Sequence, residues 1–558
     1  MRSASTPSVD AGVVPATSLA APALARRGLT PPSLARWTRL VWALVLAACA
    51  LLPAGYLLLA ALPVLFDGGW LLHFASTSLP HQARLSLWVA LQAVLVAFAV
   101  GAVPAVLVSR HDFRGRGLVS VLALLPLLLA PFVTAGIWTV TFSWSFFERF
   151  PALALALLHG LACSPYVFII FRIAAARIPS SFPELAAAFG HGRWPRLWRV
   201  HLPAHAVPAA ASALIVCAQV VGDYAAAERL GLDTLSVGLH NLWLASQSSS
   251  VAAVVSVLLI VPAVLLVAVA TWAATRVISR NPVPPASAAA ARKPLAAPAA
   301  AGLVAWSLLC SLPAFWVPEV LTLRWAWLKW ERTRFEAIPG DMLNAAGTSL
   351  CTALVVGAVC ALTALLLQSG GRMTLGDRLA ERAPWLFLSN YFLPSLVLAL
   401  AFVMMSRDGA LLAQWLGPWR DSRVLVVVTE ALRFLPFAML PVLDALRRTP
   451  PAAVELARAF GTGPLRARVV AYAGHLWPAL LLGCALVFME SLKELDLSLM
   501  LQPFGYSSPA LKIYAFSRHQ NMDRAAVWVL ITQVLMLLPL ALLYWRMSRL
   551  GRVVGVAG

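Results

Sequence analysis

Charged side chains are rare in this chain, and four of them stand where charge is costly. Asp223 closes an apolar run that ends Val221-Gly222. Glu490, Lys493 and Glu494 interrupt another run at i, i+3 and i+4, a spacing that puts all three on one face of a helix. Ionised groups inside apolar segments face a bundle interior or an aqueous cavity and pair with one another. Two readings follow. A Glu490–Lys493 pair, or a pairing with another helix, would hold helices in register. Alternatively, Asp223, Glu490, Lys493 and Glu494 line a path in which carboxylates favour a cation.

A second group of polar residues occurs twice. Residues 179–203 read PSSFPELAAAFGHGRWPRLWRVHLP, and PPAAVELARAFGTGPLRARVVAY begins at Pro450. At a fixed offset of 271, residues 179–192 and 450–463 agree at eight of fourteen positions, including Glu184, Ala186 and Gly190 against Glu455, Ala457 and Gly461. An Ala/Leu-heavy chain would give roughly one or two such identities by accident, so the chain is read as a duplication. Proline and glutamate suit a helix start, and Gly190 with Gly192 stop it. Two short helices meeting at a glycine elbow would form a protruding knob. An interfacial amphipathic helix is the plainer reading, but lipid does not require the same residues twice.

Other chemistries find little support. His201 and His205 stand at i, i+4, but Pro203 between them spoils a shared helical face, and no carboxylate lies nearby to complete a metal site. His159, inside an apolar run, is read as a hydrogen-bonded core residue. The seven cysteines lie in apolar segments with no close CxxC pair, which suits small buried hydrophobes. No GxSxG elbow marks a hydrolase. The four lysines, Lys293, Lys329, Lys493 and Lys512, follow Arg292, Leu328, Leu492 and Leu511. Without a Gly-Lys pair there is no GxxxxGK[ST] phosphate loop, so the chain is read as neither an enzyme nor a holder of ATP or other cofactor.

The elements that must position these residues are membrane helices. The chain has 558 residues, 61% hydrophobic and 12% charged, with a mean hydropathy of +0.81. A bilayer accepts that much apolar surface and a soluble domain does not. Apolar runs of about twenty residues predict an all-α protein with twelve spans, at roughly 41–64, 86–109, 117–139, 153–175, 206–226, 251–272, 302–322, 346–367, 384–405, 424–444, 477–501 and 525–545. The net charge of +20 comes from basic residues in short loops, which speaks for orientation in a membrane rather than for nucleic acid. Most of these loops fall on one side with both termini, which is then cytoplasmic. Arg324, Lys329, Arg332 and Arg334 fall in a loop on the other side. Six spans per half make the halves parallel repeats, with the path at their interface. The expected divisions are a cytoplasmic tail at 1–39, a first repeat at 40–276, a Pro/Ala-rich linker at 277–300, a second repeat at 301–550 and a tail at 551–558.

Glu184-Leu185-Ala186, Gly190 six residues on, then Val200, Leu202 and Pro203 resemble the EAA loop of ABC importer permeases. Leu185 replaces the family's second residue. The second copy keeps Glu455, Ala457 and Gly461, appears one residue shorter because His205 and Pro208 fall opposite His475 and Pro478, and lacks the Leu-Pro exit. The resemblance covers most of residues 40–550 and is to double-length permeases of the ferric-iron and thiamine types. Ser491-Leu492-Lys493-Glu494-Leu495 and Asp223-Tyr224 resemble segments of the iron type. The resemblance implies a type I ABC importer permease fold in the inner membrane. It further implies two copies of an ABC ATPase subunit docked at the two loops, ATP used there alone, and an extracytoplasmic substrate-binding protein. Ferric iron is the implied substrate, with thiamine, a polyamine or another small solute as alternatives. An ion-coupled secondary transporter with twelve spans is the competing class, and it leaves the doubled loop without a purpose.

Overall fold

A computed structural model of the chain describes residues 50–66, 76–142, 149–175, 202–246, 253–260, 292–333, 339–367, 377–407, 412–448 and 451–549, with positions 69, 189, 190, 192 and 195. The described residues are almost wholly helical. In chain order the helices used below are α1 (Ala50–Phe66), α2 (Leu79–Arg110), α3 (Arg116–Leu124), α4 (Pro131–Thr141), α5 (Pro151–Ala175), α6 (Leu202–Gly222), α7 (Ala225–Arg229) and α8 (Leu235–Ser246). They continue with α9 (Ala297–Ser311), α10 (Val317–Thr333), α11 (Pro339–Leu365), α12 (Asp377–Phe392), α13 (Ser395–Ser406), α14 (Arg423–Arg448) and α15 (Pro451–Ala459). The last are α16 (Pro464–Lys493), α17 (Asp496–Leu501), α18 (Pro509–Arg518) and α19 (Met522–Arg549). Among the described residues eight helices are long and apolar enough to cross a membrane, and two bent helix pairs bring the number to ten if each pair is one span.

The bends replace two of the twelve expected straight spans. The run at 117–139 is broken at residues 129–130 and turns by 86°; the run at 384–405 is broken at 393–394 and turns by 102°. Proline explains both breaks. Pro131 opens α4 behind an extended Ala130, and an extended Pro394 is the N-cap of α13. Proline lacks an N–H, and the residue before it is pushed out of helical geometry. The first expected span is described from Ala50 onward, and 251–272 only at 253–260, which is helical.

Three further expectations change. The seventh span is longer than 302–322: α9 and α10 run on through a π-helical turn at Leu312–Trp316 and form one candidate span, Ala297–Glu331. Arg324 and Lys329, expected in a loop, are therefore helical. The end of the expected linker already carries structure, since Lys293–Pro294 pairs in parallel with His111–Asp112 and α9 starts at Ala297. Finally, the run at 477–501 does not continue as one helix. It ends at Lys493, and Glu494 has φ −70° and ψ 119° before α17 begins.

The order of elements recurs along the chain. A long helix, a bent pair, two long helices, a short helix and a medium helix occur as α2 to α8 and again as α11 to α18, with α15 preceding the second long helix of the later set. The ends of α6 and α16 fall at Gly222 and Lys493, and α7 and α17 begin at Ala225 and Asp496, in each case 271 residues apart. Packing within the first set is close where small residues meet. A Cβ on Gly101 of α2 would overlap the Ser164 carbonyl of α5, and one on Gly160 would overlap Val96. The main apolar core runs through both sets, from Leu57, Val89 and Phe168 to Leu396, Leu497 and Met536.

Candidate functional site

The two helix breaks and the ends of α6 and α16 converge on one cavity of about 70 Å³. Its lining includes Pro131 and Ser395 from the breaks, His159 and Tyr166 from α5, and Gln219, Gly222 and Asp223 from the end of α6. Arg433 of α14 joins them, as do Glu490, Lys493, Glu494 and Asp496 from the end of α16 and the start of α17. All four charged residues proposed from sequence for a path, Asp223, Glu490, Lys493 and Glu494, thus face the same space. Irregular backbone at membrane depth is tolerated where it lines such a cavity, because no lipid then meets its free polar groups.

The charges are organised in pairs. Lys493 Nζ donates to Glu490 Oε1 at 2.9 Å and to the Tyr166 hydroxyl at 3.0 Å, and Tyr166 donates to Glu490. Glu494 does not extend that helical face, since it lies beyond the end of α16. Its Oε2 instead stands 3.7 Å from Arg433 Nε, and its Oε1 accepts from Leu497 N at 3.1 Å. Asp223 has the matching place at the end of α6, with Oδ1 accepting from Ala226 N at 3.3 Å. Each carboxylate caps the short helix that follows it, where the free N–H groups favour negative charge. Arg433 also donates to the Leu393 carbonyl at 2.7 Å, closing a backbone group freed by the break before α13. Asp496 accepts from Tyr224 N at 3.3 Å, and Glu430 accepts from Ser491.

His159 is fully buried and lines the cavity, with Nε2 2.8 Å from Asp223 Oδ2. That contact is within ion-pair range but outside hydrogen-bond geometry, and neither ring nitrogen nor Asp223 Oδ2 makes a hydrogen bond. The expected burial is present, and its polar neighbour is Asp223 at the cavity wall. Sequence reasoning passed over Glu430 and Arg433, although both are charges within an apolar run and the rule that singled out Glu490 applies to them equally.

The duplicated loops are described in part. Glu184 and Ala186 lie outside the described residues. Gly190 and Gly461 are exposed turns, each with φ +77°, and the preceding Phe189 and Phe460 are 73% and 80% exposed. In the second copy Glu455 is exposed and Ala457 half-buried on α15, with Leu456 60% exposed. Gly461 N bonds the Arg458 carbonyl at 2.9 Å, a left-handed stop that glycine adopts without steric cost. In the second copy, which lacks the Leu-Pro exit, α16 starts at Pro464 and runs on to Lys493, while the short helix expected after Pro195 in the first copy lies outside the described residues.

A second polar cluster joins α7 to α18. The Tyr514 hydroxyl donates to Glu228 Oε2 at 2.6 Å, and Arg518 stands 3.5 Å from Glu228 Oε1. Burial, with the hydrogen bond to Glu228 next, holds the Tyr514 phenol well above the usual tyrosine range. Among the described residues no group of three or more His, Cys, Asp and Glu side chains could hold a metal ion.

Helices long and apolar enough to cross a membrane thus surround a charged, proline-broken cavity, as in a multi-pass membrane protein. Residues 93–280 match the family model described as binding-protein-dependent transport system inner membrane component. The matched stretch runs from α2 through the first loop and Asp223, and it supports an importer permease whose family works with an ATPase and a substrate-binding protein. No curated protein matches the chain.

Proposed function

We propose that this chain carries both permease halves of a binding-protein-dependent importer. The loops at Glu184–Gly190 and Glu455–Gly461 receive two copies of a separate ATPase subunit on the cytoplasmic side. The cavity at the joint ends of α6 and α16 is a station on the substrate path. The observation that carries this reading is the pair of exposed Phe-Gly elbows, 271 residues apart, with the same backbone angle at Gly190 and Gly461. Two glycine turns with the same φ suit a partner that meets each half once, and the recurrence of elements from α2 to α8 and α11 to α18 supports parallel repeats.

In this reading, closure of the ATPase pair moves both elbows together and opens the path towards a loaded binding protein, and hydrolysis resets it inward. The cavity is lined by four carboxyl side chains, Asp223, Glu490, Glu494 and Asp496, against Arg433 and Lys493. That excess favours a cation, in keeping with the resemblance to ferric-iron permeases. Co-purification with the ATPase subunit tests the proposal. The wild-type chain should retain it, and Glu184→Lys combined with Glu455→Lys should release it. Absence of association, or association indifferent to the double substitution, refutes the reading.

A further inference from the structure

We propose that His159 and Asp223 form a two-donor staging site for a metal cation on its way through the cavity, a proposal that rests on the permease reading above. His159 is fully buried yet has no hydrogen bond at either ring nitrogen, and Asp223 Oδ2 has none either. Leaving buried polar atoms unsatisfied is unfavourable, so a residue pair kept in that state points to a ligand. The two atoms stand 2.8 Å apart. Nitrogen and oxygen ligands about 2.1 Å from one metal lie roughly 3.0–3.4 Å from each other, so the pair would have to open by a few tenths of an ångström to share a cation. Lys493 is held by Glu490, and Arg433 donates to the Leu393 carbonyl beside Glu494.

Comparison of the two halves strengthens the assignment. At the offset of 271, His159 and Asp223 correspond to Glu430 and Glu494, and Ala162 corresponds to Arg433. In the second half Glu430 accepts from Ser491, and Glu494 accepts from Leu497 N and stands 3.7 Å from Arg433. The first half has alanine where that arginine stands, so no guanidinium from that position reaches Asp223, whose neighbour is His159 instead. A resident metal takes three or four protein ligands, and no such set exists among the described residues. Two ligands are what a path needs, since binding must be strong enough to admit the ion and weak enough to release it. A cavity of about 70 Å³ takes an ion with a few waters rather than an extended organic cation.

Adding a third ligand should turn the station into a trap. Ala162 lines the cavity one turn along α5 from His159. With the full chain in lipid nanodiscs, Co²⁺ titration followed by visible absorbance should show Ala162→His binding at least tenfold tighter than wild type. Ala162→Gln, of similar bulk, should show no gain, and adding Asp223→Asn to Ala162→His should abolish it. No tightening in Ala162→His, or a gain that survives Asp223→Asn, overturns the site. If Ala162→His does not fold, wild type and Asp223→Asn are compared directly; weaker binding in Asp223→Asn supports the site, and equal binding overturns it. ATPase co-purification from the same preparations separates the two readings: intact association without a metal difference removes only the staging site, and lost association removes the permease.

Discussion

Truncating Arg433 to alanine removes three interactions at once. The guanidinium stands 3.7 Å from Glu494, donates to the Leu393 carbonyl at 2.7 Å, and lies 5.5 Å over the Tyr391 ring. At an effective dielectric of about 20 the ion pair is worth about 4 kcal/mol before desolvation. The hydrogen bond from a charged donor adds about 1.5–3 kcal/mol. Desolvation cancels much of the Coulomb energy, so the pair itself contributes little net stability. Removing one partner is different, because the Glu494 side chain, 10% exposed, is then a buried charge left with only its bond from Leu497 N. Arg433→Ala should therefore cost about 3–5 kcal/mol. Adding Glu494→Gln removes the stranded charge and should return roughly half of that loss, leaving the orphaned Leu393 carbonyl as the remainder. Denaturant unfolding of the three variants and wild type in nanodiscs, followed by tryptophan fluorescence, measures the series. An Arg433→Ala chain within about 1 kcal/mol of wild type, or a double variant no more stable than the single one, would refute the proposed electrostatics.

Two other perturbations test the packing and the second polar cluster. Gly101→Ala drives a methyl group into the Ser164 carbonyl and should cost about 1–3 kcal/mol in the same unfolding assay. Tyr514→Phe removes the hydroxyl donor to Glu228 and should cost about 1.5–3 kcal/mol near neutral pH. Because the phenol is held above its ordinary value of about 10, the unfolded chain releases that proton first, so wild-type stability present below this pH should decline above it. Tyr514→Phe should flatten that part of the decline, as unfolding measured between pH 9 and 11 will show.

Much of the cavity was legible because charge in an apolar run is informative by itself. Asp223, Glu490, Lys493 and Glu494 were singled out on that ground, and all four line one space. Arg433 and Glu430 obeyed the same rule and were passed over. A lone histidine in an apolar run, such as His159, says nothing about its partners. Its role depends on Asp223, 64 positions away in sequence and 2.8 Å away in space. The doubled loop was legible because a fixed offset survives in sequence, and Gly190 and Gly461 adopt the left-handed angle that glycine alone takes easily.

Sequence by itself determined the class of molecule: apolar runs of membrane length, a polar element repeated at one offset, and no phosphate loop. These are local properties, written in composition and spacing. Tertiary structure decided where the spans break and which charges meet. A proline permits a bend, but whether a span turns by 86° or 102° depends on the helices that receive its free backbone groups. Arg433 closing the Leu393 carbonyl is such a case. Charge pairing is likewise a matter of angstroms, because a pair shares its energy only at close range and in a space from which water is largely excluded.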